Sequence, residues 1–229
     1  MSVGVLVPAA GRGVRLGGGP AKALRLLAGE PLLVHAVRGL RAAPSVGPVV
    51  VAAPAADVEL ARDLLADYDV TVVPGGAERQ ESVALALAAL PPDADLVLVH
   101  DAARCLTPAS VVEAVVVALR AGAEAVVPVL PVVDTVKRVD GDRVVATVDR
   151  SALRAVQTPQ GFRRDVLAAA HADPGSATER GPRWQAATDD AGLVEALGRP
   201  VVTVPGSEEA FKVTRPLDLL LAEAVLRAR

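Results

Sequence analysis

The chain has 229 residues, of which 52% are hydrophobic and 22% charged, so it can bury a sizeable core and fits one large domain or two small ones. Aromatic residues make up only 2% and the formal net charge is −3, which argues against a general nucleic-acid binder and against recognition of stacked bases. A single cysteine, Cys105, excludes an intrachain disulfide, and no run of about 18 uninterrupted apolar residues is found, so we expect a cytoplasmic protein without a membrane span.

Short apolar runs alternate with amphipathic segments along the first 130 residues. The apolar runs predict strands at 3–7, 48–53, 70–73, 96–99 and 125–130. The segments between them have helical spacing, which predicts helices at 31–43, 55–66, 78–90 and 108–121. The inward faces of the second and third helices are predicted to carry Leu60, Leu64 and Leu65, and Val83, Leu85, Leu87 and Leu90. The alternation predicts an α/β fold, with a doubly wound, mostly parallel, Rossmann-like sheet and helices on both faces.

The alternation is interrupted at about 134–150, where a protruding β-hairpin arm is predicted. Asp140 and Gly141 form a strong turn signal, and Val and Thr alternate with charged residues on both sides of it. A two-stranded hairpin with exposed valines is only marginally stable by itself. We therefore expect the arm to pack on another subunit or to fold back on the domain, with a simple surface excursion as the alternative.

The α/β pattern returns after the arm. A strand-like segment is predicted at 153–157, a helix at 164–172, a polar Gly/Pro-rich loop at 173–185, and a helix at 189–197 with Thr188 as its N-cap. A last strand is predicted at 201–204 and a closing helix at 216–227. No repeat or interdomain linker interrupts the pattern, so we predict a single domain over residues 1–229.

The first loop, from Pro8 to Lys22, concentrates the residues suited to phosphate binding. It follows a predicted buried strand and contains five glycines and three cations. Glycines let a ligand approach the backbone N–H groups, and fixed cations suit a polyphosphate. The loop does not match a dinucleotide fingerprint, which would need Gly where Leu16 stands, or a P-loop, which would need Ser or Thr after Lys22. A flexible turn with solvated Arg and Lys is the alternative.

Four segments are expected to meet at one edge of the sheet, because ligands bind beyond the carboxyl ends of the strands in open α/β sheets. They are the first loop, 75–82, 100–104 and 208–212. Together they hold several cations, at least one carboxylate and many small residues, without a Ser/His/Asp arrangement or a Cys/His cluster. His35, His100 and His171 lie far apart in sequence, and we expect each to be structural. The combination favours phosphoryl or nucleotidyl transfer, which needs alignment and charge neutralisation more than a covalent nucleophile.

Seven stretches of the chain carry a family resemblance. They lie at 7–22, 75–82, 99–104, 134–137, 157–162, 188–191 and 211–214. In their order and residues the chain resembles the 2-C-methyl-D-erythritol 4-phosphate cytidylyltransferases of the non-mevalonate isoprenoid pathway. The resemblance implies a nucleotidyltransferase-type sheet that transfers CMP from CTP to 2-C-methyl-D-erythritol 4-phosphate, releases pyrophosphate and uses Mg²⁺.

The resemblance also implies roles for particular residues. By position, Arg15 and Lys22 are similar to the residues that stabilise charge on the α-phosphate during attack. The implied nucleotide-binding residues are Pro8, Ala9, Ala10, Gly11, Gly75, Gly76, Ser82, Asp101 and Ala102. The implied residues around the polyol phosphate are Arg150, Lys212, Thr135, Thr158 and Thr188. Asp101 is a candidate metal ligand, with the ion held mostly through the phosphates of CTP.

The arm has a counterpart in the family, where it embraces a partner subunit. The resemblance therefore implies a homodimer, in which Thr135 and Arg150 could serve the other chain's site. Two positions depart from the family pattern. Cys105 stands where proline is frequent, and we expect a small buried residue there without a redox role. Ala21 separates Pro20 from the lysine that usually follows proline directly.

Several alternatives remain open at this point. Arg104 could be a structural ion-pair partner, Arg79 could be solvated, and Ser82 could cap a helix turn. A cytidylyltransferase for a related polyol phosphate, such as ribitol phosphate, is a second function. A non-catalytic nucleotide-binding dimer is a third, and it would be expected to lack Arg15 or Lys22, both of which are present.

Overall fold

The computed structural model describes residues 1–11, 20–172 and 188–229, and these parts of the chain form an α/β architecture. The strands are β1 Val3–Pro8, β2 Leu26–Leu27, β3 Glu30–Pro31, β4 Val49–Ala53, β5 Val70–Pro74, β6 Leu96–Val99, β7 Ala125–Pro131, β8 Val136–Asp140, β9 Arg143–Val148, β10 Arg154–Val156, β11 Gln160–Arg163 and β12 Val201–Pro205. The helices are α1 Leu32–Arg41, α2 Val58–Leu64, α3 Arg79–Ala89, α4 Ala109–Arg120, α5 Arg164–Ala172, α6 Asp190–Ala196 and α7 Pro216–Ala228. The predicted alternation of strands and helices is confirmed. Within the described ranges, none of these helices has the length and apolar character needed to cross a bilayer.

The parallel part of the central sheet is built around β1. This strand lies between β4 and β6, and β5 continues the sheet beyond β4. Every residue of β4 and β6 is buried, as expected for valine-rich strands that helices cover on both faces. β1 ends at Pro8, which has no N–H to donate to a neighbouring strand. The carboxyl ends of β1, β4, β5 and β6 therefore lie at the same edge of the sheet.

β11 is a central strand that the sequence pattern did not predict. It runs antiparallel to both β6 and β7 and lies between them. The strand has only four residues and includes a buried glutamine and a glycine, so it lacks the continuous apolar run that marks a buried strand. Gly161 is needed because a Cβ there would lie 2.4 Å from Cγ1 of Val115 on α4. β10 also runs antiparallel to β7, whereas β12 is parallel to it.

Helices cover both faces of the sheet with buried apolar side chains. α1, α2 and α4 pack on one face, and α3, α5 and α6 pack on the other. Each fully buried Val or Leu contributes roughly 1.5–3 kcal/mol. The predicted inward positions of Leu60 and Leu85 are wrong, since these side chains are 49% and 43% exposed. Each lies two residues beyond an inward residue, Val58 or Val83, and residues two apart do not share a helix face.

The arm is a two-stranded sheet formed by β8 and β9, which confirms the predicted hairpin. Gly141 closes its turn at φ +57°, in the left-handed region that favours glycine. Val139, Val144 and Val145 are 57%, 60% and 52% exposed. The described part of the chain therefore leaves an apolar side of the arm uncovered.

α6 begins at Asp190, one residue later than predicted. Its N-cap is Asp189, whose Oδ1 accepts a hydrogen bond from the backbone N–H of Gly192 at 2.9 Å. The prediction of Thr188 as the cap is therefore wrong, because the aspartate next to it makes the capping bond. The predicted loop at 173–185 lies outside the described residues.

Candidate active site

A cavity of about 1040 Å³ opens at the carboxyl edge of the parallel strands. Binding at this edge is general for open α/β sheets, and the volume is at the upper end of the range for small-molecule pockets. All the residues predicted to bind the nucleotide line it, namely Pro8, Ala9, Ala10, Gly11, Gly75, Gly76, Ser82, Asp101 and Ala102. Two predicted cations, Lys22 and Lys212, line it as well.

One wall of this cavity depends on close packing around Gly75. A Cβ at Gly75 would lie 2.7 Å from Cβ of Ala10 and 3.0 Å from Oγ of Ser82. The Ser82 hydroxyl accepts a hydrogen bond from the N–H of Gly76 at 3.1 Å and donates to the carbonyl of Glu78 at 3.1 Å. Ser82 therefore lines the cavity and fixes the turn before α3. The alternative of a helix cap is wrong, because the N-cap of α3 is Glu78.

Lys22 lies where the first loop rejoins the domain. Its backbone N–H donates to the carbonyl of Gly11 at 3.3 Å, so the two ends of the loop meet at the cavity. The 3₁₀ turn that begins at Lys22 buries Ala23 and leaves the lysine half-buried against the cavity. Lys22 lines the cavity although Ala21 separates it from Pro20. Arg15, the other predicted catalytic cation, lies outside the described residues.

Asp101 lines the cavity and is held between two cations. Its Oδ2 accepts a hydrogen bond from Nζ of Lys212 at 2.6 Å, and its Oδ1 accepts one from Nε of Arg79 at 3.3 Å. Burial by itself raises the pKa of the Asp101 carboxyl, but the charges of Arg79 and Lys212 outweigh burial and hold that pKa well below its usual range. Asp101 is therefore a fixed anion that aligns both cations.

A second cavity, of about 230 Å³, adjoins the first, and the two share Arg79, Asp101 and Lys212. The other residues that line it are Arg104, Val156, Gln157, Thr158, Gln160, Thr188 and Asp189. Three residues predicted for the second substrate, Thr158, Thr188 and Lys212, thus converge on one small polar space from distant parts of the sequence.

Thr158 is fixed in that space by two buried partners. Its Oγ1 accepts a hydrogen bond from the backbone N–H of Asp101 at 3.1 Å and lies 3.2 Å from Nδ1 of His100. Burial lowers the pKa of His100 to about 4, so this imidazole is neutral at neutral pH. The arrangement agrees with a structural role for His100. Among the other histidines, Nε2 of His35 lies 2.9 Å from the carbonyl oxygen of Leu27.

Two arginines that sequence reasoning left open lie inside the site. Arg79 bonds to both Asp101 and Asp190, so the alternative of a solvated side chain is wrong. Arg104 donates from Nη1 to the carbonyl of Ala210 at 2.7 Å and from Nη2 to the carbonyl of Val156 at 3.0 Å. Burial lowers the pKa of the Arg104 guanidinium. These carbonyls hold its charge at the wall of the smaller cavity.

Sequence reasoning also missed two glutamines of the smaller cavity. Gln157 donates from Nε2 to the carbonyl of Ser207 at 2.8 Å and accepts from its N–H at 3.0 Å, which ties the segment before Lys212 to the cavity wall. Gln160 donates from Nε2 to Oδ2 of Asp189 at 2.6 Å. Both glutamines belong to a stretch that carried the family resemblance, which was the signal that could have identified them.

Thr135 and Arg150 are not brought to this site by their own chain. Both are exposed residues of the arm region, and the described residues that line the two cavities do not include them. Arg150 donates a hydrogen bond to the carbonyl of Val133. A role for these residues at a second chain's site therefore stays a prediction.

The side chains at the cleft suit a metal ion that is coordinated mostly by the phosphates of a ligand. Within the described ranges, no group of three or more His, Cys, Asp and Glu side chains could hold a metal ion. Mg²⁺ usually keeps several waters and binds one or two carboxylates together with substrate phosphates. Asp101, in the wall that the two cavities share, fits the protein's share of such a site.

Among the described residues, four cations line the cleft together with four carboxylates, which are Asp57, Glu78, Asp101 and Asp189. Lys22, Arg79, Arg104 and Lys212 line the two adjoining cavities. The four cations make the cleft suited to two anionic groups that lie side by side and to charge that develops between them. Cys105 is buried, and burial raises the pKa of its thiol to about 12, so it is not a thiolate nucleophile at neutral pH.

Comparisons with known proteins extend the likeness over nearly the whole chain. The model of a family described as 2-C-methyl-D-erythritol 4-phosphate cytidylyltransferase matches residues 3–228. The protein of that name from Saccharopolyspora erythraea is 59% identical over 233 residues, which cover 99% of this chain and 100% of that one. The one from Frankia casuarinae is 58% identical over 225 residues, 98% of this chain and 81% of that one. The solved structure of that name from Thermus thermophilus has a TM-score of 0.80 at 41% identity and covers 99% of this chain and 100% of that chain.

Proposed function

The chain belongs to the 2-C-methyl-D-erythritol 4-phosphate cytidylyltransferase family, and we propose that its two adjoining cavities bind the two substrates of that reaction side by side. The protein is a nucleotidyltransferase of isoprenoid precursor biosynthesis. It transfers CMP from CTP to 2-C-methyl-D-erythritol 4-phosphate, giving 4-CDP-2-C-methyl-D-erythritol and pyrophosphate. The observation that carries the proposal is the wall of Arg79, Asp101 and Lys212 that both cavities share.

CTP occupies the larger cavity in this proposal. The wall around Gly75 and Ser82 offers backbone groups and one hydroxyl that can read the edge of the base, and Asp101 faces the ribose and the phosphates. This assignment is supported by the small residues Ala9, Ala10 and Gly11, which let a ligand approach the backbone closely. The triphosphate then extends toward Lys22 at the end of the first loop.

The polyol phosphate occupies the smaller cavity. Lys212 and Arg104 supply positive charge for its phosphate, and Thr158 and Thr188 supply hydroxyls for hydrogen bonds. Because Lys212 also lines the larger cavity, one cation lies within reach of both phosphorylated substrates. This shared position supports a role for Lys212 in orienting the attacking phosphate.

The reaction is a direct displacement at the α-phosphorus of CTP. An oxygen of the polyol phosphate forms the new bond to that phosphorus as the bond to the bridging oxygen of the diphosphate breaks, and pyrophosphate leaves with the bonding electrons. A phosphomonoester has a second pKa near about 6, so the attacker is largely dianionic at neutral pH and needs no general base. Lys22 and Arg15 stabilise the negative charge that develops on the α-phosphate.

Asp101 would be the protein's ligand for a Mg²⁺ ion carried by CTP, and the ion would supply positive charge to the triphosphate. The chain's own contribution is to hold Asp101 ionised and fixed between Arg79 and Lys212.

The arm completes the partner's site in a homodimer. This part of the proposal is supported by the exposed valines of β8 and β9 and by the location of Thr135 and Arg150 away from their own chain's cavities. The same resemblance that assigns the two residues to the polyol phosphate also assigns the arm to the dimer. A cytoplasmic location is supported by the single, buried cysteine.

Pyrophosphate release tests the substrate assignment directly. Wild-type protein with Mg²⁺ is assayed with CTP and 2-C-methyl-D-erythritol 4-phosphate, with ribitol 5-phosphate in place of that acceptor, and with UTP in place of CTP. We expect rapid release only with the first pair, because these are the substrates that the name of the family specifies. Turnover that required ribitol 5-phosphate would overturn the substrate while leaving the displacement mechanism intact.

A further inference from the structure

A row of alternating charged side chains, ending at the imidazole of His171, runs from the cleft into the interior of the protein. Nζ of Lys212 bonds to Oδ2 of Asp101 at 2.6 Å, and Oδ1 of Asp101 accepts from Nε of Arg79 at 3.3 Å. Nη1 of Arg79 then donates to Oδ2 of Asp190 at 2.7 Å. Oδ1 of Asp190 lies 2.9 Å from Nε2 of His171. We call these five residues the charge row.

The inner end of the charge row is buried and does not reach the substrates. Asp190 has 0% of its surface exposed, and the side chain of His171 is 6% exposed. Neither residue is among the described residues that line the two cavities, whereas Arg79 lines both. A carboxylate only accepts hydrogen bonds, so Nε2 of His171 carries the proton in its bond to Asp190.

The guanidinium of Arg79 is stabilised by the carboxylates of Asp101 and Asp190. Burial by itself would lower the pKa of Arg79, but the charges of Asp190 and Asp101 outweigh burial and raise it. Losing one partner of a buried ion pair is strongly destabilising, because the remaining charge is left uncompensated. Of the two hydrogen bonds of Arg79, the one to Asp190 is the shorter. Asp190 therefore determines where the guanidinium lies.

We propose that Asp190, supported by His171, is a positioning residue for nucleotidyl transfer, because it fixes Arg79 and thereby Asp101 and Lys212 in the wall between the two cavities. This inference rests on the proposed function. Helices α5 and α6, which supply His171 and Asp190, thus act on the reaction without touching either substrate.

A double-mutant cycle between Arg79 and Asp190 tests this inference. The cycle compares wild type, Asp190→Asn, Arg79→Gln and the double variant in kcat/KM for the polyol phosphate. We expect Asp190→Asn to lower kcat/KM about tenfold or more in the wild-type background and by less than about threefold once Arg79 is gone, since the two act as one unit. A loss that is equal in both backgrounds, or absent from the wild-type background, would overturn the proposal.

Asp165→Asn is the matched control, because Asp165 lies on α5 like His171, pairs with Arg163 at 3.2 Å and lines neither cavity. Its effect should be the same in both backgrounds. If Asp190→Asn does not fold, His171→Gln replaces it in the cycle, since it loosens the support of Asp190 while keeping the ion pair with Arg79. The expected loss is then about threefold and vanishes in the Arg79→Gln background.

Failure of the proposed function is distinguishable from failure of the charge row. If the wild-type protein were inactive, the proposed function would be wrong. The same cycle would then be measured as CTP affinity by calorimetry, because Arg79 also lines the larger cavity. Non-additive losses of affinity would sustain the positioning role of Asp190, and additive ones would remove it.

Discussion

Replacing Lys22 with alanine should lower kcat at least about a hundredfold, because one charged donor aimed at the transition state is typically worth roughly 3–4 kcal/mol. Lys22 lines the larger cavity at the point where the first loop closes on Gly11. Its ammonium is expected to act on charge that develops at the α-phosphorus, so the loss should appear in kcat more than in the KM for CTP. Pyrophosphate release under saturating concentrations of both substrates measures it.

Arg199→Ala is a suitable control for Lys22→Ala. Arg199 is an exposed cation that pairs with Glu124 at 3.2 Å, away from both cavities. Its replacement changes the net charge by the same amount and should leave turnover unchanged. If Lys22→Ala were as active as Arg199→Ala, Lys22 would have no part in the mechanism.

A heterodimer of one Lys22→Ala subunit and one Arg150→Ala subunit should recover about half of the wild-type activity, because one of its two symmetric sites is then intact. In the proposed dimer, the site with an unmodified Lys22 receives an unmodified Arg150 from the partner's arm. The other site carries both changes and is inactive. The two proteins would be co-expressed with different tags, purified as heterodimers and assayed at a polyol phosphate concentration below the wild-type KM.

The matched control is a heterodimer of Lys22→Ala and Lys212→Ala subunits. Lys22 and Lys212 line the same cavity of one chain, so each of the two sites keeps one defect and no recovery is expected. Absence of recovery in the Arg150 heterodimer as well would mean that the arm does not supply Arg150 to the other subunit. Recovery in both pairs would contradict the assignment of Lys22 and Lys212 to one site.

Most of the fold could be predicted from local patterns. Valine-rich runs and helical spacing identified the parallel strands and the helices between them, because burial on both faces of a sheet imposes that composition. β11 could not be predicted, because its pairing with β6 and β7 is decided by tertiary contacts, with Gly161 packed against α4. The positions of Leu60 and Leu85 were predicted wrongly, because both are apolar but neither lies on the helix face that points inward.

The residues of the candidate site were predictable to a different extent. Small residues and cations that follow the strands could be located, because strand ends meet at one edge of the sheet. The partners of Arg79 could not, since Asp101 and Asp190 come from distant segments that only the folded chain brings together. Thr188 and Asp189 are adjacent and both are good caps, so local preference alone could not decide between them. Thr135 and Arg150 depend on contacts that one chain does not contain.

The most direct test of a displacement driven by aligned cations is the configuration at the α-phosphorus of the product. CTP with a single sulfur at that phosphorus, in one known configuration, would be turned over with 2-C-methyl-D-erythritol 4-phosphate, and the product's configuration determined. In-line attack by the polyol phosphate predicts inversion, because a single displacement occurs. Retention would mean two displacements through a covalent enzyme intermediate, which would contradict a mechanism that relies on Lys22, Arg15 and Lys212 without a protein nucleophile.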